Sequence, residues 1–225
     1  MNKQDLIVAY KQAKETSNKR NFKQTVDLII TLKDLDLKKP DHQVDLFIQL
    51  HHSIGRKTKI CGLVGPEMID NAKKELDHVI DVDSFADFAK DKKNVKKLAA
   101  EYDFFVAQAN LMAKVAQSFG RVLGPRNKMP NPKSGCVVPP NANLTVLKTR
   151  LDKTIRILVK TNPQFQASVG REDMADEHII DNMMTIYDQL IHHLPSEEHN
   201  IKSVYVKLTM GPSIKVGAQE KKDKK

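Results

Sequence analysis

Two strand-like segments near the N-terminus have no partner close to them in the chain. Residues 21–33, NFKQTVDLIITLK, are rich in β-branched side chains. Residues 44–50, VDLFIQL, are apolar at Val44, Leu46, Ile48 and Leu50. Two strands alone are marginal in water, so these need others. The middle of the chain does not supply them. From Gly55-Arg56-Lys57 onward, short apolar strands (59–64, 78–82, 104–107, 137–138) alternate with helical patterns (67–76, 84–90, 94–102, 111–119, 143–151). That alternation predicts a parallel sheet covered by helices. Strand-rich texture returns after 155–160. Segments 165–169 and 203–208 there flank a helix at 176–194, which aligns Ile179, Ile180, Met183, Ile186, Tyr187 and Leu190 on one face.

The N-terminal strands, behind a first helix at 3–17, therefore find their partners at the other end of the chain. The expected fold is mixed α/β and α+β, in two domains. A discontinuous α+β domain of split β-α-β type takes residues 1–57 and 160–225. A Rossmann-like, three-layer parallel α/β domain takes residues 58–159. The crossings near 57–59 and 161–164 would form a two-stranded hinge. The Lys-rich end, 218–225, is expected to be disordered.

Charge narrows the function. The 225-residue chain has a net charge of +9. Residues 58–159 carry 17 basic and 11 acidic side chains, a net of +6. Within them, residues 104–151 contain no Asp or Glu. The centre of that window, 120–135, reads GRVLGPRNKMPNPKSG. It sets Arg121, Arg126, Lys128 and Lys133 on a backbone shaped by Gly and Pro. Such a positive loop suits a polyanion, of which a phosphate backbone is the commonest. A rigid connector with solvated Lys and Arg is the alternative reading.

Three further segments are candidates. Thr209, Met210, Gly211, Pro212 and Ser213 (TMGPS) end the strand 203–208. Their hydroxyls can donate to ribose or phosphate, and Met210 offers an adaptable surface. Phe22, at a strand start beside Arg20 and Lys23, could stack on an unpaired base. Gly170 and Arg171 follow a strand, where Gly permits close approach and Arg can contact phosphate. Each also reads as ordinary structure: a strand-ending turn, a core Phe, a turn with a surface ion pair.

Enzyme signatures are missing. His51-His52 and His192-His193 are adjacent pairs, which point different ways and close poorly on one metal. Cys61 and Cys136 lie in apolar, strand-like contexts without CxxC spacing, as reduced buried thiols would. No catalytic residue, metal site or cofactor is expected. The turn at Val64-Gly65-Pro66 lacks the full dinucleotide fingerprint, so a nucleotide-handling α/β enzyme is the lesser alternative. Apolar runs fall short of a membrane span, and the N-terminus does not resemble a signal peptide, so a cytoplasmic, membrane-free protein is expected.

LGPRNKMPNPKSG at 123–135 resembles the signature block of the L-one family of large-subunit ribosomal proteins, in the style of its archaeal and eukaryotic cytosolic members. NFKQTVDLIITLKDLDLKKP at 21–40 and SVYVKLTMGPSIKV at 203–216 resemble two further family blocks, in the family's order. The resemblance implies a two-domain protein, monomeric off the ribosome. Its terminal domain would bind the mobile stalk of large-subunit rRNA beside the tRNA exit site. The implied RNA contacts are Phe22, Thr25, Ser168, Gly170, Arg171 and residues Thr209 to Ser213. The basic loop would add a secondary contact. Exit-site tRNA, other ribosomal components and the leader of its own mRNA, which the family represses, are the implied partners.

Overall fold

The structure is a computed structural model, and it describes residues 2–217. The tail expected to be disordered, 218–225, lies outside them. The chain divides into two compact units, residues 1–56 with 153–225 and residues 57–152.

The terminal unit holds helix α1 (Lys3–Thr16), strands β1 (Thr25–Leu32) and β2 (Val44–Gln49) and, from the far end of the chain, β7 (Thr154–Val159), β8 (Gln164–Arg171), helix α7 (Asp176–Ile191), β9 (Ile201–Leu208) and β10 (Ile214–Lys215). Its four-stranded sheet runs β10-β9-β1-β8, antiparallel throughout. β1 is central because its TVDLIITL alternation buries Val26, Leu28, Ile30 and Leu32 and leaves Thr25, Asp27, Ile29 and Thr31 partly open. The buried face packs with Leu6, Tyr10 and Ala13 of α1 and with Ile179, Met183, Ile186 and Leu190 of α7. Strand pairing across the two ends of the chain supplies what the isolated N-terminal strands lacked.

The second crossing differs from the sequence reading. The insert ends at Asp152 rather than at 159. β7 leaves it because it pairs with β2, from Val44↔Val159 to Gln49↔Thr154. Arg156 Nε and Nη2 each donate to the Asp45 carboxylate at 2.8 Å, locking that register.

The inserted unit contains β3 (Ile60–Val64), α2 (Ile69–Glu75), β4 (His78–Asp81), α3 (Phe85–Lys90), α4 (Lys92–Glu101), β5 (Phe104–Gln108), α5 (Met112–Leu123), β6 (Val137–Val138) and α6 (Leu144–Leu151). Its sheet is parallel, in the order β4-β3-β5-β6. β3 is buried at every position because both faces are covered. On one side Leu63, Phe105 and Ala107 meet Phe85, Val95 and Phe119 of α3, α4 and α5. On the other, Ile60, Val64 and Val106 meet Ala72, Leu147 and Leu151 of α2 and α6. Helices thus pack on both faces of this sheet. α5 continues to Leu123, so Gly120 and Arg121 belong to a helix and the basic loop begins at Gly124.

Candidate nucleic-acid interface

Three segments far apart in sequence meet at one end of the terminal sheet. β1 starts at Thr25, and its neighbours there are the end of β8 and the end of β9. Thr25 pairs with Arg171, and Val26 with both Gly170 and Leu208. The sequence candidates on 22–25, 168–171 and 209–213 are thus brought to one place.

Gln24 ties them together. It is 2 % exposed. Its side-chain amide donates to Ser17 Oγ at 3.2 Å and to the Asn18 carbonyl at 3.4 Å, while its Oε1 accepts from Met210 N at 3.1 Å. Its own carbonyl accepts from Glu172 N at 3.0 Å. One buried residue therefore fastens the N-terminal approach and the TMGPS turn through its side-chain amide, and the β8 end through its backbone carbonyl. A single polar residue before a strand carries no periodic signal, which is why sequence reasoning passes over it.

Thr209 closes the ladder beyond Leu208. Its N–H donates to the Thr25 carbonyl at 3.0 Å, and its hydroxyl accepts from Thr25 N at 2.9 Å. Gly211 N then turns back onto Leu208 O at 3.0 Å. A Cβ on Gly211 would lie 3.3 Å from Ser17 Cβ, so glycine lets the turn sit against the end of α1. Pro212 and Ser213 are exposed beyond it.

A bulge shapes the other side. The register jumps from Val26↔Gly170 to Asp27↔Ser168 and skips Val169. Val169 and Gly170 are consequently both buried, while Ser168 and Arg171 stay partly open. A Cβ on Gly170 would fall 3.0 Å from Ile179 Cγ1 and 3.2 Å from Met174 Sδ. The close approach that this glycine permits is to α7. The Arg171 stem lies against Gly55, and its Nη1 is 3.5 Å from the Gly55 carbonyl.

Phe22 is 50 % exposed, which rules out the core reading. Met210 is 58 % exposed. The described residues expose four large hydrophobic side chains, and these are two of them. Lys23 pairs with Asp173 at 2.5 Å. The hydrogen bond from Lys23 holds the Asp173 carboxyl below the usual range. An exposed pair of this kind is weak and readily exchanged for a phosphate. The surface therefore combines two exposed apolar side chains, Ser and Thr hydroxyls, and two cations on a backbone fixed from beneath. It can stack, donate hydrogen bonds and meet phosphate.

In the inserted unit, Arg121 and Lys133 are exposed. Arg126 and Lys128 are engaged: Nη1 of Arg126 donates to Lys96 O at 3.0 Å and Nζ of Lys128 to Tyr102 O at 2.6 Å. These two cations hold the basic loop in place as well as charging it. The turn proposed for a nucleotide is occupied by protein. Gly65 N donates to the buried Gln108 Oε1 at 3.0 Å, and Gln108 Nε2 reaches Glu67 Oε2 at 3.4 Å. An amide and a carboxylate stand where a phosphate would need free N–H groups. Among the described residues no cluster of three or more His, Cys, Asp and Glu could hold a metal ion. No helix among them is long and apolar enough to cross a membrane.

Residues 12–212 match the model of the ribosomal protein L1p/L10e family. The chain is 42% identical over 215 residues to the large ribosomal subunit protein uL1 of Thermococcus kodakarensis, covering 95% of this chain and 97% of the relative. It is 37% identical to the same-named protein of Methanocaldococcus jannaschii, over 224 residues and 100% of both chains. The Nanoarchaeum equitans protein is 42% identical over 210 residues, 92% of this chain and 96% of that one. The three-segment surface thus sits in a chain that, over nearly its whole length, belongs to the ribosomal protein L1p/L10e family.

Proposed function

We propose that this protein is a structural component of the large ribosomal subunit, where its terminal unit grips the mobile stalk of the large-subunit rRNA. The observation that carries this reading is the convergence of 22–25, 168–171 and 209–213 on one preformed surface. Structured RNA is recognised by shape, stacking and ribose or phosphate hydrogen bonds on such surfaces, more than by bulk charge. Membership of a ribosomal protein family supports ribosomal RNA as the partner.

Beside the exit site, a stalk carrying this protein assists release of deacylated tRNA. The same surface, meeting a leader in its own mRNA that mimics the stalk, represses translation of that message. Neither role asks for catalysis. The filled turn at Gly65 and Gln108 weighs against the nucleotide-handling alternative.

The test is binding to a stalk-region rRNA fragment and to a scrambled duplex of equal length, across a salt series. Tight binding to the stalk that persists at high salt is expected. Equal and steeply salt-dependent binding to both RNAs would reduce the reading to a generic basic surface.

A further inference from the structure

Helix α4 begins KKNVKK, and its charges are placed at a local loss. Lys92 and Lys93 occupy the first turn, where the helix dipole disfavours cations and where no acidic residue stands. Lys92 with Lys96, and Lys93 with Lys97, are like charges four residues apart on one helix, and each pair is mildly unfavourable. All four lysines are exposed, on one side of a helix whose other side buries Val95 and Ala99. None of the four forms an ion pair among the described residues. The adjacent acid, Asp91, is spent on capping: its carboxylate accepts from Lys93 N and Asn94 N. A solvated face has no need of this arrangement, whereas a bound polyanion would offset it.

The basic loop is fastened to the same helix. Arg126 grips the carbonyl of Lys96, in mid-helix, and Lys128 grips that of Tyr102, at its end. Helix and loop form one fixed positive surface. Neither α4 nor residues 124–135 contain an aromatic side chain. Unpaired strands are held on aromatic stacking platforms; point charges on a rigid, non-aromatic surface suit the regular phosphates of a duplex.

From this we infer that α4 with the loop 124–135 is a second RNA-binding surface, one that docks the backbone of double-stranded RNA without reading sequence. Naming the polyanion as RNA rests on the ribosomal reading above. The placement of the charges does not.

The test uses the full chain with Lys92, Lys93, Lys96 and Lys97 all changed to Gln, which keeps good helix formers, and a second variant with all four changed to Arg. Affinity for a random-sequence RNA duplex is measured against salt. The Gln variant should lower the slope of log K against log salt by up to about 3.6, at about 0.9 for each of four phosphates no longer neutralised, and the Arg variant should keep it. Binding to the stalk fragment at high salt should be unchanged in both. An unaltered slope in the Gln variant overturns the proposal. So does an equal drop on unstructured oligouridine, which would make the surface a single-strand binder. Tighter wild-type binding to polyglutamate than to the duplex overturns it in favour of an acidic protein partner. If wild-type protein does not distinguish stalk from scrambled RNA, the primary reading fails while the slope comparison still decides this one.

Discussion

Thr25 and Thr209 hold each other across the end of the sheet by backbone and side chain together. Beside the two bonds that link backbone to backbone and backbone to hydroxyl, their Oγ1 atoms lie 2.8 Å apart. This mutual grip sets where the TMGPS turn leaves β9. Replacing Thr209 by Val keeps the shape and removes the acceptor for Thr25 N. Because the site is near solvent, a loss of about 0.5–1 kcal/mol is expected in denaturant unfolding. Affinity for stalk RNA should fall several-fold, since the turn is released. Wild-type RNA affinity in this variant would mean that the clamp does not order the surface.

Gln24 should matter more, although it is buried and touches no ligand. Gln24→Met fills similar volume but leaves Met210 N and the Asn18 carbonyl without their partner. These bonds are part-buried, so losing them should cost about 1 kcal/mol each. The expected result is lower stability together with a loss of specific RNA binding, while the salt slope on a scrambled duplex stays as it was. A stability loss without any change in RNA binding would show that the N-terminal approach and the TMGPS turn hold their positions without this amide.

The elements are legible where pattern is local, and the site where motif is local. The β1 alternation and the buried runs of the inserted sheet announce themselves because burial acts on every second residue in one case and on every residue in the other. The strand TIRILV is visible too, yet its place is not. Nothing in six residues says whether they pair with β2 or with the parallel sheet, and the deciding partner, Asp45, lies over a hundred residues away. Gly170 reads in sequence as open to a ligand. Its crowding against Ile179 depends on the bulge at Val169, which alternation alone does not reveal. Gln24 has no signal at all, because its worth comes from the carbonyls and N–H groups that tertiary structure brings to it.

Met210→Asp separates binding from folding. The side chain is largely exposed, so global stability should change by less than about 0.5 kcal/mol. A carboxylate at this point would repel phosphate and remove an apolar contact. Stalk affinity should drop by at least tenfold at moderate salt, and Phe22→Ala should act in the same direction. Unchanged affinity in both variants would remove the exposed apolar pair from the binding surface.

Gly170→Val tests the packing role of that glycine. New methyl groups would push into Ile179 Cγ1 and Met174 Sδ, forcing α7 outward. Overpacking of this kind costs about 1–3 kcal/mol. The unfolding midpoint should fall clearly, and Gly170→Ala should fall less because only a Cβ must be accommodated. A Val variant as stable as wild type would show that α7 yields without loss.

The two cysteines of the inserted unit should behave as apolar core. Both are buried, and burial pushes the Cys61 thiol up to about 12 from an ordinary 9.0, and Cys136 in the same direction. In the native protein at pH 8 neither should react with a thiol reagent on the scale of minutes, whereas in denaturant both should. The shift also fixes a sign. In the unfolded chain the thiol loses its proton near its ordinary value, while the folded chain keeps it, so the folded state binds more protons above that pH. The contribution to stability is complete below about pH 9 and is lost progressively as pH rises toward 12. Cys61→Ala should unfold more easily at neutral pH because of the cavity, yet lose less additional stability than wild type between pH 8 and pH 10. Equal alkaline losses in the two proteins would assign the pH dependence to other groups.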